Sequence, residues 1–300
     1  MQPVKKIVIS ASRRTDIPAF YLKWFAGQIK KGFFKITNPY NGHISIVPAT
    51  PDRVHTIAFW SKNFRPFIKS GFGPELQKKG YNLFFNFTIN TRSPLLEPNL
   101  PSLDDRLDQL ACLSSRFDPG TVNWRFDPIC FYTTDGSEIE NNLHDFSRIA
   151  KAAAKCGVKR CITSFMDHYA KIKKRTAAIK GFSFIDPPPD KKIDILLSME
   201  QTLKKLNINL FTCCEKELLA KLPEYSKTVA SSCIPNNLLM QLYKGNLALK
   251  KDTGQRIKQG CGCKVSIDIG SYREHPCYHN CLFCYACPAS RGHSKPEEKK

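Results

Sequence analysis

No run in the 300-residue sequence approaches the roughly 20 consecutive apolar residues that a helix needs to cross a bilayer, so no membrane-spanning helix is expected. The opening MQPVKKIVIS has a brief apolar run but no cleavage-like region behind it, which argues against a secretory leader and for a cytoplasmic location. Neither a glycine-rich phosphate loop, nor a dinucleotide fingerprint at the first strand, nor a serine-hydrolase elbow is present, which weighs against an ordinary nucleotide hydrolase, dehydrogenase or serine hydrolase. Acidic residues are scarce: 26 Asp and Glu stand against 46 Lys and Arg, a net charge of +20. That excess suits an anionic partner, nucleic acid included, although a lysine-rich solvated surface has the same composition. No finger, winged-helix or RNA-binding signature supplies base-specific contacts.

Cysteine, by contrast, is abundant. Thirteen in a chain of this length, an odd number, fit a reducing compartment with some thiols on metal and others buried, rather than a short disulfide scaffold. Cys277, Cys281 and Cys284 fall within eight residues of the segment CYHNCLFCYAC and can converge on one soft metal centre. A four-iron cluster, [4Fe-4S], held by these three alone leaves one iron open to a ligand that is not protein. Zinc would want a fourth protein ligand, for which Cys287 and His279 stand nearby. A second group is Cys261 and Cys263, with Cys233 and either Cys213 or Cys214 near the ends of neighbouring strands. If those ends meet, a second iron–sulfur cluster or zinc can bind there; otherwise these are separately buried or surface thiols. Cys112, Cys130, Cys156 and Cys161 lie in apolar or helical contexts and read as small core residues.

Eight apolar runs are spaced through the chain: Lys6 to Ser10, Val54 to Phe59, Leu83 to Ile89, Thr121 to Phe126, Lys159 to Ser164, Asn209 to Thr212, Thr228 to Ser231 and Lys264 to Ile269. Helical periodicity separates most of them, over 19–30, 103–117, 139–156, 192–206 and 236–249, with a helix interrupted by Gly71 and Gly73 in 66–78. Buried parallel strands joined by helices predict a single TIM-like (β/α)8 barrel over 1–290, with an open doubly wound sheet as the competing arrangement. A small β-hairpin insertion is expected near 33–47, a cysteine-rich cluster loop within 261–287 near the C-terminus, and a flexible basic tail over 291–300.

Polar residues gather where the predicted strands end, which in a barrel is one shared face. Arg13, Arg14 and Asp16 follow the first strand; the arginines can fork onto a substrate carboxylate or phosphate, or pair internally with Asp16 to fasten the loops. Lys62 can meet an anion, and Asn63 can orient the loop after strand two. Arg125 and Asp127, two apart on a strand, share a face and a polar site. Asp167 and His168 offer a proton donor and acceptor or simply hold a loop, and Asp268 can brace the base of the cluster loop.

The CYHNCLFCYAC segment resembles the cluster loop of radical S-adenosylmethionine enzymes, whose three cysteines have this spacing and often an aromatic residue where Phe283 stands. The chain as a whole resembles an uncharacterised prokaryotic family with such a cluster at its carboxyl end, through SRRTDIP at Ser12 to Pro18, FWSKN at Phe59 to Asn63, RFDP at Arg125 to Pro128 and CGCKVSIDIG at Cys261 to Gly270. The resemblance implies a [4Fe-4S] cluster on Cys277, Cys281 and Cys284, S-adenosylmethionine on the open iron, a cytoplasmic electron donor, and hydrogen abstraction from a substrate that the motifs do not identify. Most such enzymes carry the loop after the first barrel strand, whereas here it follows the last. Cys284 and Tyr285 are also similar to the Cys-Tyr pair of spore photoproduct lyase, which, with the positive charge, makes a nucleic-acid substrate attractive. The alternative class is a noncatalytic iron–sulfur or zinc protein that binds nucleic acid or transfers electrons.

Overall fold

The eight apolar runs suit parallel strands, the first five of them burying on both faces. In the computed structural model, which describes residues 6–38 and 41–286, they form β1 (Ile7–Ala11), β2 (Val54–Ser61), β3 (Asn82–Thr88), β4 (Val122–Ile129), β5 (Arg160–Phe165), β6 (Asn209–Thr212), β7 (Val229–Ala230) and β8 (Ile267–Asp268). All belong to one sheet in the order β7-β6-β5-β4-β3-β2-β1-β8, and every neighbouring pair is parallel. One face, carrying Ile9, Ile57, Phe59, Phe85, Phe87, Trp124 and Phe126, belongs to the largest apolar core. The opposite face sets Val8, Ala58 and Phe84 against Ile234, Leu239 and Leu247, contributed by the helix Asn236–Tyr243 and its flanks.

The expected barrel is corrected in one respect: the sheet is not closed. β7 and β8 are two residues long and do not pair with each other. Only irregular chain bridges them, with Gly262 N donating to Ser231 O at 3.2 Å and Lys264 N to Ile234 O at 3.1 Å. Pro235 follows directly on one side and has no N–H to extend a ladder. On the other side Gly262 packs so closely that a Cβ would stand 2.5 Å from Ser231 O.

Local signals explain the connections. Ser102 caps Leu103–Arg116, accepting from Asp105 N at 3.1 Å, and Asp104 and Asp105 in the first turn suit the helix dipole. Leu22–Lys31 stops at Gly32, whose φ of 79° is left-handed. Phe33–Thr37 and Ile44–Pro48 pair as an antiparallel hairpin. The helix expected over 139–156 is shorter, Phe146–Lys155, because Asp135-Gly136 makes a turn and Glu140–Asn141 joins a small antiparallel sheet with Phe131–Thr133 and Ser183–Ile185. The helix expected over 236–249 stops at Tyr243, where Lys244 and Gly245 both have positive φ. The tail at 291–300 and Cys287 lie outside the described residues. Among the described residues no helix is long and apolar enough to cross a membrane.

Candidate functional site

A cavity of about 560 Å3 opens at the carboxyl ends of the strands. Arg13, Arg14 and Asp16 reach it from the loop after β1, Lys62 from the end of β2, and Arg125 and Asp127 from β4. Cys213 follows β6, Cys233 follows β7, Cys261 and Cys263 precede β8, and Cys277, Cys281, Phe283 and Cys284 lie in the loop beyond it; all line the same space.

Asp16 holds this face together. Its Oδ1 accepts from Ala19 N at 2.9 Å and so caps the helix Ile17–Phe20. Its Oδ2 accepts from Ser61 Oγ at 2.9 Å, Lys62 N at 2.9 Å and His279 Nε2 at 2.7 Å. An internal pairing of Asp16 with Arg13 or Arg14 is not found. Arg13 NH2 instead reaches Asp252 at 3.2 Å and Ser266 Oγ at 3.0 Å, its Nε lies 3.7 Å from Asp268, and Arg14 NH1 donates to Gly270 O at 3.0 Å. Asp268 braces the base of the cysteine loop by accepting from Ser10 Oγ at 2.7 Å, Ser12 Oγ at 2.5 Å, Arg13 N at 2.8 Å and Gly270 N at 3.0 Å.

The loop bearing Cys277, Cys281 and Cys284 is fastened from several sides. Arg175 NH1 donates to the carbonyls of Cys281, Leu282 and Cys284 at 3.3, 2.7 and 3.1 Å. Tyr285 OH donates to Arg13 O at 2.9 Å. Lys62 Nζ sits 2.5 Å from Glu97 Oε1 and 5.2 Å from the centre of the Phe283 ring, while Cys281 Sγ is 3.9 Å from the same Glu97 oxygen. Burial pushes all three thiols up in pKa and Lys62 pulls each one back. Burial works to lower Lys62 itself, but Glu97 and Cys281 outweigh it and its pKa is raised. His279 is 2% exposed, and among the described residues its Nδ1 has no hydrogen-bond partner.

Across the cavity Cys233, Cys261 and Cys263 form a buried cluster against which Cys213, Cys214 and Trp60 pack. Side-chain contacts run from Cys214 to Cys213, Cys233, Cys263, Cys261 and back to Cys214. The Cys213 and Cys214 sulfurs are 3.8 Å apart, and Cys233 N donates to Cys263 Sγ at 3.3 Å. The hydrogen bond between the neighbours lowers the pKa of Cys214, assisted by Cys261, and raises that of Cys213. Arg125 NH1 donates to Cys233 Sγ at 2.7 Å, and Arg125 also pairs with Asp127, which accepts from Ser164. Among the described residues no three His, Cys, Asp or Glu side chains stand ready around one point as a metal site; the five thiols make a ring of neighbours instead.

Several participants escape a reading of the sequence. Glu97 lies in the stretch LLEPNLP, where a lone acid among apolar and proline residues is the one available signal. Arg175 sits in a lysine-rich run that looks like solvated surface, and Asp252 and Arg256 carry no motif. Asp167 faces the cavity and pairs with Arg256, while its neighbour His168 lies 4.0 Å from Asp186, so the two do not act as a pair.

Residues 8–286 match the family described as "Domain of unknown function (DUF1848)". No curated protein matches. Among solved structures, D-hydantoinase from a Bacillus sp. AR9 is 13% identical with a TM-score of 0.34, over 61% of this chain and 40% of that one. Dihydropyrimidinase from Brevibacillus agri NCHU1002 is 13% identical with a TM-score of 0.33, over 65% and 42%. The chain thus spans about two fifths of the length of these two proteins, and likenesses this slight carry no argument.

Proposed function

The chain belongs to the DUF1848 family, and from the chemistry of its site we propose an iron–sulfur enzyme of the radical S-adenosylmethionine type on a TIM-like barrel with an open seam. The strand order β8-β1-β2-β3-β4-β5-β6-β7 supports that architecture. The observation that carries the reading is the placement of Cys277, Cys281 and Cys284 on the wall of a cavity that also holds Arg13, Lys62, Arg125 and Asp127. The residue types suit such a group: three thiols lie within eight residues of sequence, and the Lys62 ammonium beside them works against the rise that burial imposes. When bound, [4Fe-4S] with S-adenosylmethionine on its open iron supplies, after one electron from a donor protein, cleavage of a carbon–sulfur bond and a carbon radical.

The surrounding residues do the rest. Arg175 fixes three carbonyls of the loop and Asp16 fixes His279, so the thiols are presented from a constrained backbone. Phe283 and Lys62 line the cavity beside them. Arg125 and Arg13 present guanidinium groups to the cavity and suit an anionic substrate, a nucleic acid among them. One observation favours the noncatalytic alternative: Asp16 orients His279 in the manner of a second-sphere carboxylate, leaving Nδ1 as a candidate fourth ligand.

Anaerobic purification with iron and sulfide quantitation, then electron paramagnetic resonance of the reduced protein with and without S-adenosylmethionine, separates the two. A four-iron signal perturbed by that cofactor, with 5′-deoxyadenosine formed, is the expected result. An iron-free zinc protein refutes the reading, and an iron–sulfur signal indifferent to the cofactor that responds to His279→Ala selects the alternative.

A further inference from the structure

We propose that the thiol ring at the β7/β8 seam is a second metal centre, in which four of Cys213, Cys214, Cys233, Cys261 and Cys263 bind a soft metal as thiolates and thereby staple the open edge of the sheet. The inference does not depend on what the Cys277 loop holds.

Five thiols arrive from three separate segments: the turn after β6, the loop after β7 and the approach to β8. As packing this is a poor arrangement, because a thiol is a small apolar group and only a weak hydrogen-bond donor, so gathering five at a cavity wall gains little over aliphatic residues. As a ligand set it supplies the right donors, arranged as a ring of neighbours that a metal would draw together. Thiolates around zinc at about 2.3 Å in a tetrahedron stand about 3.8 Å apart, and Cys213 and Cys214 are separated by 3.8 Å. A disulfide would need about 2.05 Å.

Charge and the outer contacts agree. Four thiolates around a zinc ion or an oxidised four-iron cluster leave a net charge of about −2. Arg125 donates to Cys233 at 2.7 Å, and the charges of Arg13 and Arg256 also act on the ring. The Cys233 N–H aimed at Cys263 Sγ is the kind of second-sphere contact that orients a metal thiolate.

The location gives the centre a role. The ladder is interrupted where Cys233 and Cys261–Cys263 face each other, and Gly262 between its two cysteines packs against Ser231 O. A metal there would tie β6, β7 and β8 together where two backbone bonds now bridge the edge.

The test is metal analysis of the full chain, purified anaerobically, as wild type, as Cys277→Ala/Cys281→Ala/Cys284→Ala and as Cys233→Ser/Cys263→Ser. The first variant should keep about one zinc or about four iron per chain, and the second should lose that complement while retaining whatever the Cys277 loop binds. The zinc and iron readings distinguish the two forms of the centre. Cobalt(II) added to the first variant after its own metal is stripped should give thiolate-to-metal absorption that single serine substitutions abolish at four ring positions and spare at the fifth. A folded first variant that is free of metal and gives no cobalt absorption overturns the proposal. Should either variant fail to fold, single substitutions replace it: loss of one metal complement in Cys233→Ser or Cys263→Ser upholds the proposal, and wild-type metal content in both overturns it.

Discussion

Replacing Asp16 should loosen the cavity floor and the cysteine loop together, because one buried carboxylate serves three parts of the chain. Asp16→Ala removes the cap on Ala19 N, worth about 1 kcal/mol, and leaves the Lys62 N–H and the His279 Nε2–H without their acceptor. Buried donors left unsatisfied cost about 1–3 kcal/mol each, whereas Ser61 Oγ already accepts from Asn63 N and loses less. The sum is a destabilisation of roughly 3–7 kcal/mol. Asp16→Asn can keep the cap through its carbonyl but turns an amide toward the three donors on Oδ2, so it should cost roughly 2–4 kcal/mol. Urea unfolding at constant m-value measures both. In the asparagine variant, hydrogen exchange should also quicken over residues 277–285, since His279 is the contact that ties Asp16 to that loop. A loss below about 1 kcal/mol for Asp16→Ala, or unchanged exchange in the loop, would refute the reasoning.

Lys62→Met strands Glu97, 2% exposed, without its cation and should cost about 3–5 kcal/mol in urea unfolding, with Lys62→Met/Glu97→Gln recovering a large part. Gly262→Ala places a Cβ 2.5 Å from Ser231 O and should force the seam apart at about 1–3 kcal/mol, so a wild-type melting temperature would count against the packing described. His55 is buried, and burial lowers its pKa below the ordinary 6.5 although its bond to Lys244 O opposes the shift. The unfolded chain therefore binds the extra proton first, and stability should fall as pH drops below about 6.5 toward the lower folded value. His55→Gln should flatten that part of the pH–stability curve, and an unchanged slope would show that another group sets it.

The main sheet was legible because its first five strands are rich in apolar residues and bury on both faces. Each of the eight runs expected to be a strand contains or overlaps one, and only their ends move by a few residues. Closure was not legible. Thr228 to Ser231 and Lys264 to Ile269 look like ordinary strands, but pairing survives for two residues in each, and Pro235, which has no N–H to carry the bridging further, acts across the seam rather than through local pattern. The same limit applies to the site. Residues at strand ends could be placed on one face because parallel strands put their carboxyl ends together. Who pairs with whom could not: Arg13, three residues from Asp16, prefers Asp252 and Asp268, more than 200 residues away.

That long-range pairing also explains how a cysteine loop near residue 280 comes to share a cavity with residues near 13. β8 lies beside β1 in parallel register, Ile9 opposite Ile267 and Ser10 opposite Asp268. The chain leaving β8 therefore emerges next to the chain leaving β1, and Asp268 binds both by accepting from Ser10, Ser12, Arg13 N and Gly270 N. Gly270 permits the contact, since a Cβ there would stand 2.1 Å from Ser12 Oγ. From that junction the loop crosses toward His279, which returns to Asp16, and toward Cys281, which approaches Glu97 and Lys62 after β2. Position in the sequence and position in the sheet are thus separate matters: a thiol loop carried by the last strand reaches the ground that a loop after β1 would reach, because β1 is the neighbour on which it is built. The other edge of β8 faces the unpaired seam. The strand that carries one cysteine group is consequently the strand whose free side meets the other, and both groups come to line one cavity.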